Sequence, residues 1–250
     1  MRSTVSRWFP ERTVLWLRPQ KTDPMLAEFE RELDRRAFGR GTRLTCVVAG
    51  DAARYRIVPW NDELVSPLQR QALSVNCFAE AYGDVARDWT VRQHTARHGV
   101  ATLACALDTS LLDRLAALTQ ARHLGLVSVQ PALMHAYNRM LRHVDQGLLW
   151  FVWIDGGWIN LLLMSPDEPV FVKSLPSLGV DLPAWLDREW FVLGMEVPKC
   201  PVFVARAASA SPDRLHASPE SGWRFVDLPL LDDTTAFGPV VPAAQQQRSA

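Results

Sequence analysis

A strand-helix-strand-helix pattern over residues 99–144 constrains the fold more than any other part of the sequence. Residues 100–107 are apolar almost throughout, which is typical of a strand buried on both faces. An amphipathic segment follows, then a second short strand at 126–129, and then another amphipathic segment. Strands and helices that alternate in this way form sheets with helices packed on their faces. The pattern therefore predicts an α/β fold.

The residues at the ends of these two predicted helices support the assignment. Ser110 and Asp113 match a loose capping box, in which two side chains satisfy free amides at a helix start. Leu115 lies in the middle of the apolar stripe of this helix, so we expect it to be buried. Gly125 is predicted to end the helix in the left-handed conformation. Pro131 is predicted to open the second helix, where a missing N–H is tolerated.

Upstream of this unit the sequence predicts a strand, a helix and a hairpin. Residues 13–17 are predicted to form the strand, and Asp23 is predicted to cap the helix that follows. Residues 44–49 and 53–59 are predicted to be two strands, which the turn signal Gly50-Asp51 joins into a hairpin.

Residues 66–69 carry the clearest helix start in the chain. Ser66 is the predicted N-cap, Pro67 fits the first helical position, and Gln69 completes a capping box. The predicted buried stripe of this helix consists of Leu68, Ala72, Val75, Ala79 and Tyr82. A strand at 89–94 is then predicted to return into the strand at 100–107.

A shorter version of the α/β pattern begins after residue 147. The predicted elements are a meander of three strands (148–154, 158–164 and 170–175), a helix capped by Asp181, a strand at 201–205 and an edge strand within 223–231. The chain is therefore predicted to contain two successive α/β modules, at 1–146 and 147–238. Residues 207–222 are predicted to be an exposed linker that a protease cuts early, and residues 239–250 a disordered tail, because both are rich in small or polar residues.

Composition disfavours several classes of protein. The 27 basic residues are balanced by 27 acidic ones, so the basic excess that supports nucleic-acid binding is missing and no nucleic acid is expected as a partner. The four cysteines are far apart in sequence, and we expect reduced thiols rather than a disulfide framework. The apolar run at 148–154 is too short to span a bilayer, and the first residues do not resemble a secretory signal, so we expect a soluble protein.

Signatures of common enzyme sites are missing from the sequence. It contains no phosphate-binding P-loop, no dinucleotide-binding glycine pattern, no G-x-S-x-G, no H-E-x-x-H and no C-x-x-C. His94 and His98 are four residues apart, but they lie in a predicted turn without a cysteine or carboxylate cluster to complete a metal site. Asp108 follows a strand and precedes a helix, where helix capping explains it. We therefore predict no catalytic residue, no metal site and no cofactor.

Asp155, Gly156 and Gly157 are candidates for a weak phosphate-binding hairpin. They separate two predicted strands, and backbone amides in such a turn can bind a phosphate. Asp-Gly pairs are also what tight turns select, so an ordinary hairpin turn is the alternative.

Aromatic residues are candidates for partner binding, because the chain has ten tryptophans and aromatic side chains are enriched at interfaces. Trp150 and Trp153 are predicted to point to opposite faces of one strand, so both belong to a core only if both faces are covered. We expect Trp153 and Trp185 to contact a partner. The segment RYRIVPWND, which contains Arg54, Arg56, Trp60 and Asp62, either lines a binding groove or forms a strand with a solvated face.

Two segments resemble the PilM and GspL family of type IV pilus and type II secretion platforms. The first is CALDTSLLDRLAALTQARHLGLVSVQPAL at 105–133, and the second is FVWIDGGWINLLLMSPDEPVFVKSLP at 151–176. The resemblance extends over residues 13–205 by element order. It implies a degenerate actin-like fold of two ribonuclease-H-like lobes, with mixed sheets and helices on their faces.

The resemblance also implies a function and a location. Such a protein is a non-catalytic scaffold at the cytoplasmic face of the inner membrane, peripheral to it through partners. It binds a short segment of a membrane-anchored platform protein, and homodimerisation is a further expectation.

Two alternatives to the scaffold remain open at this point. Nucleotide-binding members of the family hold phosphates in two hairpins. Only the second hairpin has a counterpart in this chain, at residues 155–157. An ATPase that acts as a switch is therefore the first alternative. An enzyme of the ribonuclease-H-like fold is the second, and it would need carboxylates converging on a sheet.

Overall fold

The structure is a computed structural model that describes residues 12–17, 22–64, 66–94, 97–144, 147–155, 157–207 and 221–230. Its helices are α1 (Thr22–Arg35), α2 (Pro67–Tyr82), α3 (Thr109–Ala121), α4 (Ala132–Met140) and α5 (Leu182–Val192). Its strands are β1 (Arg12–Leu17), β2 (Arg43–Val48), β3 (Arg54–Val58), β4 (Trp89–Gln93), β5 (Thr102–Asp108), β6 (Gly125–Pro131), β7 (Leu149–Asp155), β8 (Trp158–Met164), β9 (Pro169–Pro176), β10 (Val202–Arg206) and β11 (Phe225–Asp227). The predicted α/β class is confirmed.

The first sheet is parallel and has the order β1-β2-β6. α1 crosses over between β1 and β2, because parallel neighbours need a long connection. The central strand β2 carries Leu44, Cys46 and Val47, all of which are fully buried. This sheet and its helices form one side of the main core.

The hairpin predicted for residues 44–49 and 53–59 is wrong. β2 and β3 lie in different sheets, and a short 3-10 turn at Gly50–Ala52 leads from one to the other. Gly50 adopts a φ of 68°, which lets the chain turn sharply after β2. The continuous apolar run of β2 suits the centre of a parallel sheet, whereas β3 alternates and pairs antiparallel with β5.

The second sheet is antiparallel and has the order β3-β5-β4. The predicted pairing of the strand at 89–94 with the strand at 100–107 is therefore confirmed. One face of this sheet joins the main core, and the other lies under α2. There it forms a small satellite core, which consists of Val58, Phe78, Ala86, Val91, Ala104 and Ala106.

α2 begins with the predicted capping box but buries a different face from the one predicted. The N–H of Gln69 donates to the Ser66 hydroxyl at 3.2 Å, and the Gln69 side chain accepts from the Ser66 N–H at 3.0 Å. The predicted stripe faces outward: Leu68 is 83% exposed and Val75 is 41% exposed. Phe78 is fully buried instead, because this large ring fills the space between α2 and the second sheet.

α3 is also capped differently from the prediction. Asp108 is the N-cap, and its carboxylate accepts a hydrogen bond from the N–H of Ser110 at 2.8 Å. The capping box predicted for Ser110 and Asp113 is therefore wrong, since Asp108 already satisfies this end of the helix. At the other end His123 adopts a positive φ of 56°, whereas Gly125 starts β6.

The third sheet has the order β11-β10-β7-β8-β9. The predicted meander is confirmed, because β7, β8 and β9 pair antiparallel in sequence order. β10 returns after α5 to lie parallel to β7, and β11 adds the predicted edge strand. One face of the sheet packs on α5, and the other face joins the main core.

The main core extends across the predicted boundary between the two modules. Its members from the first half include Leu15, Leu44 and Leu115, and those from the second half include Phe151, Trp153 and Phe203. The modules predicted at 1–146 and 147–238 thus share one apolar core, and their division stays a prediction. Residues 145, 146 and 208–220 and the predicted tail at 239–250 lie outside the described residues.

No helix in the described part of the chain is long and apolar enough to span a lipid bilayer. Cys46, Cys77, Cys105 and Cys200 are free thiols, as the sequence predicts. Burial raises the pKa of the Cys46 thiol to about 12 and that of Cys200 to about 11, so both thiols are held in the protonated form.

Candidate functional site

The predicted phosphate hairpin lies between β7 and β8. Asp155 pairs with Trp158 at the end of the two strands, and Gly157 adopts a φ of 89°. Gly156 lies outside the described residues. Asp155 is buried, with 3% of its surface exposed, so its carboxylate lies at the base of the turn rather than on the surface.

The charge of Asp155 acts on the core beneath the turn. Burial is the main reason why the pKa of the Tyr55 phenol is raised above its usual range, and Cys105 and Asp155 add to the effect. A phosphate bound at this turn would meet the same negative charge. A metal ion is the usual means of offsetting such repulsion.

The described residues do not fit a nucleotide with its metal. β1 pairs parallel with β2, and α1 lies between them in sequence, whereas the nucleotide-binding members of the resembled family have a hairpin at this point. Within the described residues, no group of three or more His, Cys, Asp or Glu side chains is placed to hold a metal ion. Among the described residues, the hairpin that joins β7 and β8 therefore has no second phosphate cradle to match it.

Trp153 does not have the partner-binding position that we expected. Its side chain is fully buried in the main core, with its ring centroid 5.8 Å from that of Trp16. Trp150 is also fully buried and points to the opposite face, among the side chains below α5. Both faces of β7 are covered, so the expectation that Trp153 contacts a partner directly is wrong.

Trp185 lies on α5 and is half-buried. Two cations lie over its ring: Lys173 Nζ is 4.5 Å from the ring centroid and Arg188 Cζ is 5.2 Å from it. Lys173 also forms a 2.7 Å ion pair with the buried Glu189. The ring is held in place by these contacts, and its role in partner binding stays a prediction.

A groove with a volume of about 460 Å³ opens at the end of the second sheet, beside the first turn of α2. Its walls come from the segment after β3, from the first two turns of α2, from the segment that leads into β5 and from the ends of β3, β4 and β5. The apolar part of its lining consists of Val58, Pro59, Leu64, Pro67, Leu73 and Val100. We call this feature the Trp60 groove.

Trp60 is held in this groove by three neighbours. Its indole N–H donates to a carboxylate oxygen of Asp62 at 2.7 Å. The His98 ring centroid lies 4.7 Å from the Trp60 ring centroid, and Arg70 Cζ lies 5.5 Å from it. The groove therefore combines a fixed aromatic ring with a cation.

From the sequence, the segment RYRIVPWND either lines a binding groove or forms a strand with a solvated face. Its Trp60 lines this groove and bonds to Asp62, whereas Arg54 and Arg56 line a different cleft between β3 and β9. Arg70 and His98 were not associated with Trp60, because they reach it only when α2 and the segment before β5 fold onto the end of β3. The four-residue spacing of His94 and His98 marks this segment in the sequence, but it carries no information about Trp60.

Comparison with solved structures shows which fold this is. The cytoplasmic domain of EpsL, an inner-membrane component of the type II secretion system of Vibrio cholerae, matches with a TM-score of 0.53, 12% identity, 83% of this chain and 75% of that chain. A chain of the PilM-PilN type IV pilus biogenesis complex matches with a TM-score of 0.54, 14% identity, 84% of this chain and 76% of that chain. The chain therefore shares the fold of these two proteins, as the sequence resemblance to the PilM and GspL family implied.

Comparison by sequence adds nothing to this result. No protein-family model matches the chain, and no curated protein matches it.

Proposed function

We propose that this chain is a non-catalytic scaffold of an inner-membrane assembly platform, of the type IV pilus or type II secretion kind. It binds a short cytoplasmic segment of a membrane-anchored partner and is held at the inner membrane through that partner. The observation that carries the proposal is the fold shared with the EpsL cytoplasmic domain and with PilM over more than four-fifths of the chain.

The chemistry of the described residues supports a scaffold over an enzyme. Asp155 is a buried carboxylate at one hairpin, and β1 and β2 pair parallel rather than as a matching hairpin. A ribonuclease-H-like enzyme needs several carboxylates on one sheet to bind its metals, and the described strands offer no such group. Partner binding needs accessible aromatic surface instead, which the half-buried Trp185 provides.

The test uses synthetic peptides that cover the cytoplasmic segments of the single-span membrane proteins encoded beside this chain. We expect one segment to bind saturably in isothermal titration, with little change in affinity between low and moderate salt, since the chain has no net charge. Trp185→Ala should weaken that binding by about tenfold or more. Phe191→Ala is the matched control, because Phe191 is an exposed apolar residue of the same helix. Failure of every segment to bind would contradict the scaffold.

A nucleotide switch is the second candidate, because the hairpin at Asp155 is present. One turn does not supply enough amides and carboxylates to hold a flexible triphosphate, so we expect no binding and no hydrolysis. Calorimetric titration with Mg-ATP is the test. Saturable binding of Mg-ATP in the micromolar range, abolished by Asp155→Ala, would contradict the scaffold hypothesis and support a nucleotide switch.

A further inference from the structure

We infer that the Trp60 groove binds an extended polypeptide segment of a partner protein, in which an apolar side chain neighbours a carboxylate. The inference is independent of the proposed function. It assigns a site and a ligand chemistry that the shared fold leaves open, and it would hold for a partner of any assembly.

The floor of the groove accepts an apolar side chain. Val58 is buried, while Leu64, Leu73 and Val100 are half-buried and face the open volume. The volume of about 460 Å³ lies within the range of about 300–1,000 Å³ that is usual for ligand pockets. Transfer of an aliphatic or aromatic side chain from water to these surfaces is favourable, because it removes apolar area from solvent on both sides.

Arg70 selects for a carboxylate next to that side chain. Its guanidinium is charged at every accessible pH and has five donors in a fixed fork. It donates one long hydrogen bond, 3.4 Å, to the Leu64 carbonyl, and none of the ion pairs in the described part of the chain includes it. Asp62, the acid nearest to the ring, accepts the Trp60 N–H instead. Much of the hydrogen-bonding capacity of Arg70 is therefore available to a ligand carboxylate.

The first turn of α2 adds to this preference. The helix has no acidic residue in its first turn, so the partial positive charge at its start is not offset there. Pro67 and Arg70 both line the groove at this end. A carboxylate beside them gains from the guanidinium and from the helix dipole together.

Polar groups between the two ends suit a peptide backbone. The side-chain oxygen of Gln93, Oε1, accepts from the Ser74 hydroxyl at 2.6 Å, which leaves the side-chain N–H groups of Gln93 for an acceptor in the groove. Asn61 is in the same situation, because its side-chain oxygen accepts from the Glu63 N–H at 2.8 Å. Two amide donors beside an apolar floor fit the carbonyls of an extended chain rather than a compact small molecule.

The test is a cellulose array of octapeptides, with the full chain as the labelled probe. Each peptide carries Leu, Ile or Phe next to Asp or Glu, and each has a twin in which the acid is replaced by its amide. We expect the acidic members to be retained and their twins to bind about tenfold to a hundredfold more weakly, as the loss of a charged hydrogen bond predicts. The NMR signal of the Trp60 indole N–H, assigned with Trp60→Phe, should shift on binding.

Variants of the chain then locate the effect. Arg70→Gln should remove the discrimination between acid and amide peptides, whereas Arg70→Lys should retain part of it, because a lysine keeps the charge but not the planar fork. Arg87→Gln is the matched control, since Arg87 is an exposed arginine just after α2 that pairs with Asp84. The HSQC spectrum of each variant verifies that it is folded.

Several results would overturn the inference. Equal retention of acid and amide peptides would remove the role of the carboxylate, and so would an acid preference that survives Arg70→Gln. If 4-methylpentanoate alone binds as tightly as the best peptide, the ligand of the groove is a small carboxylic acid rather than a polypeptide. If the chain self-associates in sedimentation experiments and Arg70→Gln abolishes this, the groove binds a second copy of this chain rather than a partner protein.

Discussion

His135 is a buried histidine whose environment keeps it neutral. Its ring lies edge-on to Trp16, with 5.2 Å between the centroids, and Nδ1 is 3.0 Å from the side-chain oxygen of Gln130. Burial, and to a smaller extent the charge of Arg139, lowers the pKa of His135 from 6.5 to about 4. In the unfolded chain the same imidazole binds a proton below pH 6.5.

This difference predicts acid sensitivity in a defined window. The unfolded state binds more protons than the folded state between pH 6.5 and pH 4, so the free energy of unfolding falls as the pH is lowered through that range. At pH 5 the loss from His135 should be ~2 kcal/mol. Urea unfolding at pH 7 and pH 5 should show it, and His135→Phe should lose less stability between the two pH values than the wild type does.

His143 supplies the control for this experiment because it is exposed. His143→Gln should lose as much stability between pH 7 and pH 5 as the wild type. If His135→Phe also loses as much stability between pH 7 and pH 5 as the wild type does, then His135 does not cause the acid sensitivity, and the buried position assigned to it is wrong.

Leu115 tests the core at the level of one side chain. It is fully buried in α3, as the apolar stripe of that helix predicts, so Leu115→Ala should lower the free energy of unfolding by about 2–5 kcal/mol. Leu68→Ala removes the same atoms from a side chain that is 83% exposed and should change it by less than about 0.5 kcal/mol. Equal effects from the two substitutions would contradict the assignment of buried and exposed faces.

At the scale of single elements, α2 marks the limit of what periodicity can predict. The residues Leu68, Val75 and Tyr82 repeat with helical spacing, and the helix is real, but the repeat lies mostly on its outer side. Ser74 occupies the buried face because its hydroxyl bonds to the Arg70 carbonyl at 3.2 Å and to Gln93 at 2.6 Å. A satisfied polar group can be buried, and no pattern of apolar residues reveals that its partner lies 19 positions away.

The orientation of α2 has a direct test. Phe78→Ala should lower the free energy of unfolding by about 3–5 kcal/mol, because it empties the satellite core. Val75→Ala should cost less than about 1 kcal/mol, since Val75 is 41% exposed. Chemical denaturation of the two variants gives the comparison, and a larger effect from Val75→Ala would restore the face predicted from the sequence.

Other elements follow from the sequence more closely. The meander β7-β8-β9 and the capping box at Ser66 are local features, set by turn residues and by alternation within a few positions. The pairing of β2 is not local, because its neighbours β1 and β6 come from distant parts of the chain. The sequence at Gly50 and Asp51 predicts a turn correctly. It does not show which sheet the next strand joins, so from the sequence alone the turn is interpreted as part of a hairpin.

At the scale of the whole molecule, the two halves are joined by a shared core. Trp153 packs against Trp16, and Phe151 against Tyr137, so each contact spans the predicted boundary near residue 146. We therefore expect one cooperative unfolding transition. Hydrogen exchange at amides of β2 and of β8 should report the same opening free energy.

Trp153→Ala extends this prediction. It should lower the stability measured at both strands by about 3–5 kcal/mol, since a fully buried ring is removed from the shared core. Trp185→Ala should affect stability much less, because Trp185 is half-buried on α5. Two separated transitions, or an effect of Trp153→Ala confined to β8, would mean that the halves are energetically independent.

The place of the second sheet in the chain bears on how such proteins diversify. β3, α2, β4 and β5 follow one another in sequence between β2 and α3, and they carry a satellite core of six residues. The Trp60 groove lies at one end of this sheet, and its lining combines connecting segments with residues of β3, β4, β5 and α2. Descendants of one ancestral gene can therefore exchange or rewrite the walls, and acquire new ligand preferences, while selection on the shared core continues to preserve the rest of the protein.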